Sequence, residues 1–435
     1  MLELECAVQK YAWGKHGDSS AVARIKRASD PSFVVMDSEP YAEIWMGTHP
    51  TGPSKVRATG IPLYDWLQAS GRAEGLVGIV PDGYPANDIP YMFKVLSIHT
   101  ALSIQAHPDK QFAPILHAMQ PDIYKDPNHK PEMCIALTYL EALKGFRPCL
   151  EIQANMSAFP ELRDIVGEEA SASFLHLLDN CGQALPSRES EWKALECLFG
   201  AFLRCSAERA SECVQAIVAR LTAARVQTAG APLRAEDYLP DLILRLHDDY
   251  PGDPGIFCPL ILNCLQLKPG EAFFMQANEP HAYLKGDVVE VMALSDNVVR
   301  AGLTPKFKDV DTMCKMLEYK CTTPDISLVI PIQLDPFCTL YRPPPLSCQE
   351  FEVELVTLPA NTPNYSLGMQ PCSSILLFMQ GNGATYASVG EGDAAKHCEL
   401  YDGAVYFLPA NEAVELCAGQ SGIRFYRSHI NLGTA

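Results

Sequence analysis

Four side chains in this sequence are suited to hold a divalent metal ion, namely Gln105, His107, Glu132 and His281. Gln105 and His107 are two residues apart, so on an extended strand their side chains point to the same face. Two imidazoles, one carboxylate and one amide oxygen form a ligand set that suits a zinc-type ion. A single carboxylate would leave the bound ion with a charge of about +1, so the ion would keep its Lewis acidity. This set therefore favours a catalytic metal site over a structural one.

Spacing alone leaves other interpretations of these residues open. His107 precedes a proline, and a histidine in that position is often a turn or core residue, while Glu132 could be a solvated loop carboxylate. Four other lone histidines are more typical of hydrogen-bonding residues than of ligands, and they are left out of the set: His49, His99, His117 and His129. We expect His129 to hold its loop in shape.

His281 begins a segment in which a few charged residues interrupt an otherwise apolar sequence that ends at Lys306. Apolar alternation predicts a strand over 287–294. Ser-Asp-Asn at 295–297 predicts a turn, because short polar side chains bond their own backbone. The segment is therefore expected to form a hairpin, with His281 at one rim and Arg300 and Lys306 on its far side.

The elements that must position the first ligand pair are a strand and the helix after it. Residues 102–107 alternate between apolar and polar side chains, so Ser103 shares a face with Gln105 and His107. The proline at 108 ends the strand because it cannot donate to a ladder. Asp109 is placed to cap a helix.

A loop rich in turn residues, at 124–133, delivers Lys130 and Glu132 into the next predicted strand. After about residue 150 leucine, alanine and arginine dominate, which predicts helices, including one long helical run over 191–223. The pattern ends at a Pro/Gly-rich breaker over 248–255.

Strand patterns on both sides of the helical region predict the domain organisation. Short strands at regular spacing indicate antiparallel barrel or jelly-roll domains. We predict a mainly β fold with an α-helical insert, consisting of two β-domains and one helical domain. The first β-domain is discontinuous (1–150 and 255–320), the insert covers 151–254, and the second β-domain covers 321–435.

The chain has 435 residues and a formal net charge of −18, with a pI near 5.0. A protein this acidic binds polyanions poorly. Nucleic acids and anionic membrane surfaces are therefore not expected partners. An anionic substrate must therefore meet a local cationic pocket.

Nothing in the sequence predicts export or membrane insertion. The first residues lack a basic stretch followed by an apolar run, and no run of 18 apolar residues occurs. The 16 cysteines are scattered, with none spaced as Cys-x-x-Cys, which is typical of reduced thiols in a cytoplasmic protein. We expect a cytoplasmic monomer.

Two segments carry a specific resemblance. YKDPNHKPE at 124–132 and the run from His281 to Lys306 resemble the two signatures of the type I mannose-6-phosphate isomerase family. The sequences at 103–110 and 43–54 agree with the same family. The helical insert and the C-terminal region resemble it only in layout.

This resemblance implies a fold, a cofactor and an activity. The family is cupin-like in fold and holds one zinc ion in its barrel, which implies that Gln105, His107, Glu132 and His281 are zinc ligands. It also implies that Arg300 is catalytic. The expected reaction is an aldose–ketose isomerisation between mannose 6-phosphate and fructose 6-phosphate through an enediol intermediate, which feeds mannose into GDP-mannose and glycoconjugate synthesis.

The reaction needs a base and a phosphate site. We predict Glu290 as the base, because a carboxylate in an apolar strand should have a raised pKa, with a metal-bound hydroxide and Lys130 as rivals. Glu290 could instead orient Arg300 or Lys306. The residues predicted to bind the substrate or its phosphate are Ser103, Lys94, Lys130 and Lys306.

Two other classes of function compete with the isomerase. A non-catalytic sugar-phosphate sensor would be expected to lack Arg300 or one of the ligands, and all are present. An iron oxygenase would use a facial triad with open positions, and it would leave the basic phosphate end without a purpose.

Overall fold

The fold is described from a computed structural model, which covers residues 1–179, 187–227, 237–389 and 397–433. The strands of the N-terminal part are β1 (Leu2–Glu5), β2 (Ala7–Gln9), β3 (Lys15–His16), β4 (Pro40–Tyr41), β5 (Glu43–Met46), β6 (Lys55–Val56), β7 (Tyr91–Ile98), β8 (Ile104–Ala106), β9 (Glu132–Ala136) and β10 (Leu140–Phe146). Its helices are α1 (Ala21–Ser29), α2 (Leu63–Ala69), α3 (Ala73–Val77) and α4 (Phe112–Met119). The Asp109 carboxylate accepts from the backbone N–H of Gln111 and Phe112, so it caps α4 as predicted.

Helices follow β10, as the composition predicts. They are α5 (Cys149–Ala158), α6 (Pro160–Val166), α7 (Glu168–Asp179), α8 (Arg188–Leu203), α9 (Ala207–Gln227) and α10 (Tyr238–Asp249). The single run predicted over 191–223 is wrong, because the chain leaves the helix at 204–206 and forms α8 and α9 instead. Their apolar faces share one buried cluster that includes Leu198, Phe199 and Ile217.

The chain then returns to strands. These are β11 (Leu262–Leu267), β12 (Ala272–Met275), β13 (His281–Ala293) and β14 (Val299–Gly302), followed by α11 (Val310–Met316). The C-terminal strands are β15 (Ile332–Asp335), β16 (Cys338–Tyr341), β17 (Glu352–Leu358), β18 (Tyr365–Leu367), β19 (Ser374–Gln380), β20 (Ala384–Val389), β21 (His397–Leu400), β22 (Val405–Leu408), β23 (Ala413–Cys417) and β24 (Ile423–His429). The predicted sheet-rich architecture with a helical insert is confirmed.

Two large sheets form the framework of the site. One has the order β11-β10-β13-β7-β5-β2, with β8, β9, β12 and β14 joined to it, and it is called the site sheet below. The other has the order β15-β16-β17-β24-β19-β22-β1-β6, so β1 from the chain start pairs with C-terminal β22. No helix among the described residues is long and apolar enough to cross a membrane.

Strand alternation separates the core from the site. Phe93, Val95, Val289 and Val291 of the site sheet pack in one buried cluster with residues of the second sheet, such as Tyr426. The residues between them in β7 and β13 project to the opposite face, because successive side chains alternate across a strand. The part of that opposite face that bears Lys94 and Glu290, beside Met92 and Met292, is called the polar face below, and it carries the chemistry.

The hairpin predicted around residues 295–297 is wrong. β14 pairs with β8, and β8 also pairs with β13, so Gln105 lies opposite both His281 and Arg300. β13 is one long strand in which Gly286, at φ +137°, marks a change of partner from β10 to β7. A Cβ at this glycine would lie 2.7 Å from the Tyr139 carbonyl oxygen, so the crossing requires glycine.

Candidate metal centre and sugar-phosphate cleft

A cleft of about 800 Å³ opens over the polar face of the site sheet. β7, β13 and the segment before β8 all contribute residues to its lining. It is lined by eight of the residues predicted from the sequence: Lys94, Ser103, Gln105, Lys130, Glu132, Glu290, Arg300 and Lys306. The two remaining predicted residues, His107 and His281, are buried, and both contact Glu132.

Three buried ligand atoms converge beside this cleft. Glu132 Oε2 lies 3.4 Å from His107 Nε2 and 3.6 Å from His281 Nε2. All three atoms are shielded from solvent and have no hydrogen-bond partner among the residues that the structure describes. Ligands about 2.1 Å from a tetrahedral zinc ion lie roughly 3.4 Å apart, so the spacing fits that ion. The unpaired atoms are the observation that a metal would explain.

Hydrogen bonds behind the two imidazoles fix which nitrogen faces the cluster. His107 Nδ1 is 2.7 Å from the Asn297 carbonyl oxygen, and His281 Nδ1 is 2.9 Å from that of Glu279. A carbonyl oxygen only accepts, so each Nδ1 carries the proton and each Nε2 presents its lone pair. Metal-ligating histidines are oriented in this way.

The electrostatics keep these groups in their ligating forms. Burial lowers the pKa of His107 to about 4, so the imidazole is neutral at physiological pH. Burial alone would raise the pKa of Glu132, but the charge of Lys130, whose Nζ lies 3.2 Å from Glu132 Oε1, outweighs it and holds that pKa well below its usual range. A neutral imidazole and an ionised carboxylate are the forms that bind a metal.

Gln105 lies next to this cluster by strand pairing. Its backbone is opposite His281 on one side and Arg300 on the other, and its side chain lines the cleft. It is the amide of the predicted ligand set, and its part as the fourth ligand stays a prediction.

A row of paired side chains crosses the polar face beside the metal cluster. Lys94 lies directly opposite Glu290 in the ladder, and its Nζ is 3.2 Å from Glu290 Oε2 and 3.7 Å from Glu43 Oε2. The Tyr283 hydroxyl donates to Glu290 Oε1 at 2.9 Å. Burial raises the pKa of Glu290, and Lys94 counteracts part of that shift. Lys94 is therefore already neutralised by two carboxylates.

Arg300, Lys306 and Ser103 face the cleft differently. Arg300 is partly buried, which lowers the pKa of its guanidinium, and no carboxylate among the described residues pairs with it. Lys306 is exposed at the cleft mouth, and Ser103 is half-buried in the cleft wall. Within the described residues Arg300 and Lys306 form no ion pair, so they give their part of the cleft the positive charge that an anionic substrate needs.

Sequence reasoning missed several cleft residues. Glu43 lies on β5, where strand alternation with Ile44 could have indicated it. Asp249 ends α10 and Tyr250 follows it, so the helical region contributes to the cleft. The Asp249 carboxylate accepts from the Ala101 N–H, and the Tyr250 hydroxyl donates to the Ala101 carbonyl, which holds the segment before Ser103. Contacts between such distant positions leave no local signal in the sequence.

The loop that carries Lys130 and Glu132 is anchored to the C-terminal part of the chain. His129 Nε2 lies 2.7 Å from Glu350 Oε1, and Lys110 Nζ is 3.2 Å from the same oxygen. Burial alone would raise the pKa of the Glu350 carboxyl, but the hydrogen bond and charge of His129 outweigh it, so the pKa falls to about 2. His129 thus holds its loop, as the sequence predicts, through a partner that the sequence does not reveal.

Replacing Glu350 with alanine should therefore destabilise the fold. The variant leaves the buried His129 imidazole without its acceptor, so we expect it to lose about 1–3 kcal/mol of unfolding free energy at neutral pH. Glu350 has a lowered folded-state pKa, so its contribution is present above the ordinary carboxyl pKa and declines as the pH falls toward about 2. The difference in unfolding free energy between Glu350→Ala and the wild type should therefore be smaller at pH 3 than at pH 7.

Urea unfolding at pH 7 and at pH 3 measures this difference. Glu212→Ala is the control, because Glu212 is an exposed glutamate on α9. Equal stability of the two variants at pH 7 would contradict the anchoring role.

Comparisons with known proteins agree with this geometry. Residues 1–149 match the family model for the catalytic domain of type I phosphomannose isomerase, and residues 165–262 match its helical insertion domain. The mannose-6-phosphate isomerase of Homo sapiens is 42% identical over 418 residues, covering 95% of this chain and 94% of that protein. The protein of the same name from Saccharomyces cerevisiae is 38% identical over 437 residues, covering 99% and 98%.

A solved structure of a mannose 6-phosphate isomerase bound with zinc and yttrium has a TM-score of 0.77 to this fold. It is 28% identical in sequence, and the match covers 99% of this chain and all of that one. The two domain models match successive parts of the chain, and relatives well above 30% identity extend along nearly the whole sequence. This chain therefore belongs to the type I phosphomannose isomerase family.

Proposed function

We propose that this protein is a zinc-dependent isomerase that interconverts mannose 6-phosphate and fructose 6-phosphate. The observation that carries the proposal is the set of three buried ligand atoms, on His107, Glu132 and His281, that have no hydrogen-bond partner in the described part of the chain. They lie beside a cleft whose Arg300 and Lys306 form no ion pair with any described residue. Relatives at about 40% identity over nearly the full length bear the name of this activity.

The chemistry of the reaction sets what the cleft must do. The two sugars share an enediol, so the isomerase must remove a proton from the carbon beside a carbonyl and return it to the neighbouring carbon. Zinc, when bound, supplies Lewis acidity that polarises the carbonyl oxygen of the open-chain sugar. His107, Glu132, His281 and Gln105 would hold it. The remaining tasks fall to the other residues of the cleft.

We assign charge stabilisation to Arg300. Its guanidinium stays protonated, presents a planar fork and has no carboxylate partner among the described residues, so it is free to donate to the sugar oxygens. Its backbone is paired with that of Gln105, which keeps it beside the metal ligands.

We assign proton transfer between the two carbons to Glu290. Its carboxylate lines the cleft, and burial raises its pKa, as suits a group that must take up and release a proton. Lys94 and the Tyr283 hydroxyl each bind one of its oxygens and fix its orientation. Lys130 remains the rival base, although its Nζ contacts Glu132.

Glu290→Gln should test this assignment. The amide keeps the size of the side chain but cannot accept the proton, so we expect turnover to fall about 10²–10⁴-fold. In the wild-type enzyme the activity should decline as the pH falls through the raised pKa of Glu290, because only the carboxylate acts as base. The variant should lose that limb of the pH profile. Near-normal turnover with an unchanged profile would reject Glu290 as the base.

The phosphate end of the sugar is assigned to Lys306 and Ser103. Lys306 is exposed at the cleft mouth, where a point charge can bind a phosphate, and Ser103 offers a hydroxyl on the wall beside Gln105. Lys94 is also proposed to face the substrate, but its two ion pairs favour a role in orienting Glu290.

A coupled assay tests the proposed function. Fructose 6-phosphate formation from mannose 6-phosphate is followed before chelation, after chelation and after zinc is restored. We expect activity that is lost on removal of the metal and recovered with zinc. Turnover by the fully metal-free protein would reject the zinc-dependent isomerase, and binding of the sugar phosphate without turnover would indicate a sensor.

We also propose the wider setting. Three domains are proposed: the first consists of 1–150 and 255–320, the second of 151–254 and the third of 321–435. β1 and β6 of the first domain are part of the sheet formed by the C-terminal strands. Free thiols throughout the described residues support a cytoplasmic location. A monomer that supplies mannose for GDP-mannose synthesis completes the proposal.

A further inference from the structure

A second group of potential metal ligands lies outside the cleft. It consists of Cys149, Glu191 and Cys321, whose ligand atoms all lie within 4.8 Å of one another. The two Sγ atoms are 3.3 Å apart, and none of the three residues lines the cleft. We propose that these residues form a separate thiolate site for a zinc-class ion, one that Cd²⁺ also occupies.

Three separate segments bring these side chains together. Cys149 begins α5, Glu191 lies on α8, and Cys321 follows α11. The backbone beside Cys321 is held in place, because the Thr322 N–H donates to the Phe146 carbonyl at 2.9 Å. The Asn263 side chain also donates to the Thr322 carbonyl. The cluster is therefore preorganised at the junction of the helical region and the site sheet.

The charges around the cluster favour a cation. Two thiols and a carboxylate face one another, and within the described ranges no lysine or arginine forms an ion pair with Glu191. The hydrogen bond to Cys321, together with burial, raises the pKa of the Cys149 thiol. Burial raises the pKa of Glu191. A divalent ion would replace the two thiol protons, releasing both to solvent, and it would neutralise the charges that form.

The ligand types select the ion. Two sulfurs with one carboxylate suit Zn²⁺ and the softer Cd²⁺, whereas Mg²⁺ and Ca²⁺ prefer oxygen ligands. The site in the cleft has nitrogen and oxygen ligands only, so thiolate spectroscopy separates the two sites. Oxidation of the thiol pair to a disulfide, with loss of two protons and two electrons to an oxidant, is the competing chemistry.

The test uses the zinc-loaded enzyme in a phosphine reductant. Cd²⁺ is added stepwise, and the thiolate-to-cadmium charge-transfer absorption is recorded in the ultraviolet. We expect saturation with one Cd²⁺ per chain, and a rise in the melting temperature, since the ion binds only the folded protein. Cys149→Ser and Cys321→Ser should each remove both effects. Glu191→Gln should keep the absorption but weaken Cd²⁺ affinity at least about tenfold.

Cys197→Ser is the matched control, because this exposed cysteine lies on the same helix as Glu191. Isomerase activity should be unchanged in every variant, and this activity shows that the variant is folded. Absorption that persists in Cys149→Ser, or that Cys197→Ser removes, would overturn the proposal. Recovery of Cys149 and Cys321 as a disulfide in freshly isolated protein would also overturn it, in favour of a redox pair.

Discussion

Arg300→Ala should lower turnover about 10²–10³-fold while the zinc content stays at the wild-type level. The loss is of the size seen when one donor to a developing oxyanion is removed. Arg300 faces the cleft without a carboxylate partner among the described residues, so its charge is available to the substrate rather than spent on an ion pair. Metal content should be unaffected, because the histidine and carboxylate cluster is held by other contacts.

Steady-state kinetics and elemental analysis of the same preparation measure both quantities. Arg300→Lys keeps the charge but loses the planar fork, so we expect it to recover only part of the activity. Arg27→Ala is the control, because Arg27 pairs with Asp18 on the surface. Wild-type turnover in Arg300→Ala would reject the assignment, and a joint loss of zinc and activity would place Arg300 in the metal site instead.

His281→Ala should reduce zinc affinity by more than about 100-fold and abolish turnover at ordinary zinc concentrations. The substitution removes one of three converging ligand atoms, and changes to residues that only support metal ligands already cost about 10–100-fold. Glu132 would also lose a neighbour 3.6 Å away. Zinc content after dialysis against a weak chelator gives the affinity, and activity as a function of added zinc gives the functional consequence.

His16→Ala is the matched control, because that exposed histidine on β3 lies outside the cluster. Stoichiometric zinc in His281→Ala after dialysis would contradict the ligand role. Partial recovery of turnover at high zinc would support it, because the site would then be weakened rather than misfolded.

The fold could be anticipated as far as local patterns reach. The strand at Gln105 and the change to helices near residue 150 are confirmed, although β8 ends at Ala106, before His107. Both depend on neighbours within a few residues, and side-chain periodicity records them directly. The predicted hairpin was wrong because alternation cannot say which strand is the partner, and β8 takes the position beside β14.

The candidate site could likewise be predicted only in part. Residue type indicated zinc chemistry at His107, Glu132 and His281, and the unpaired atoms of the fold agree with it. Residue type could not show that Lys94 is neutralised by Glu290 and Glu43, because those pairings join separate strands.

By itself, the sequence indicated the candidate ligands, the acidic net charge and the division into strand-rich and helical regions. Tertiary structure alone decided the spacing of the ligand atoms, the neutralisation of Lys94 and the anchoring of His129 by Glu350. The physical reason is the separation along the sequence of the residues that interact. Periodicity and composition reflect contacts between near neighbours, whereas these interactions join positions that only burial of the common core brings together.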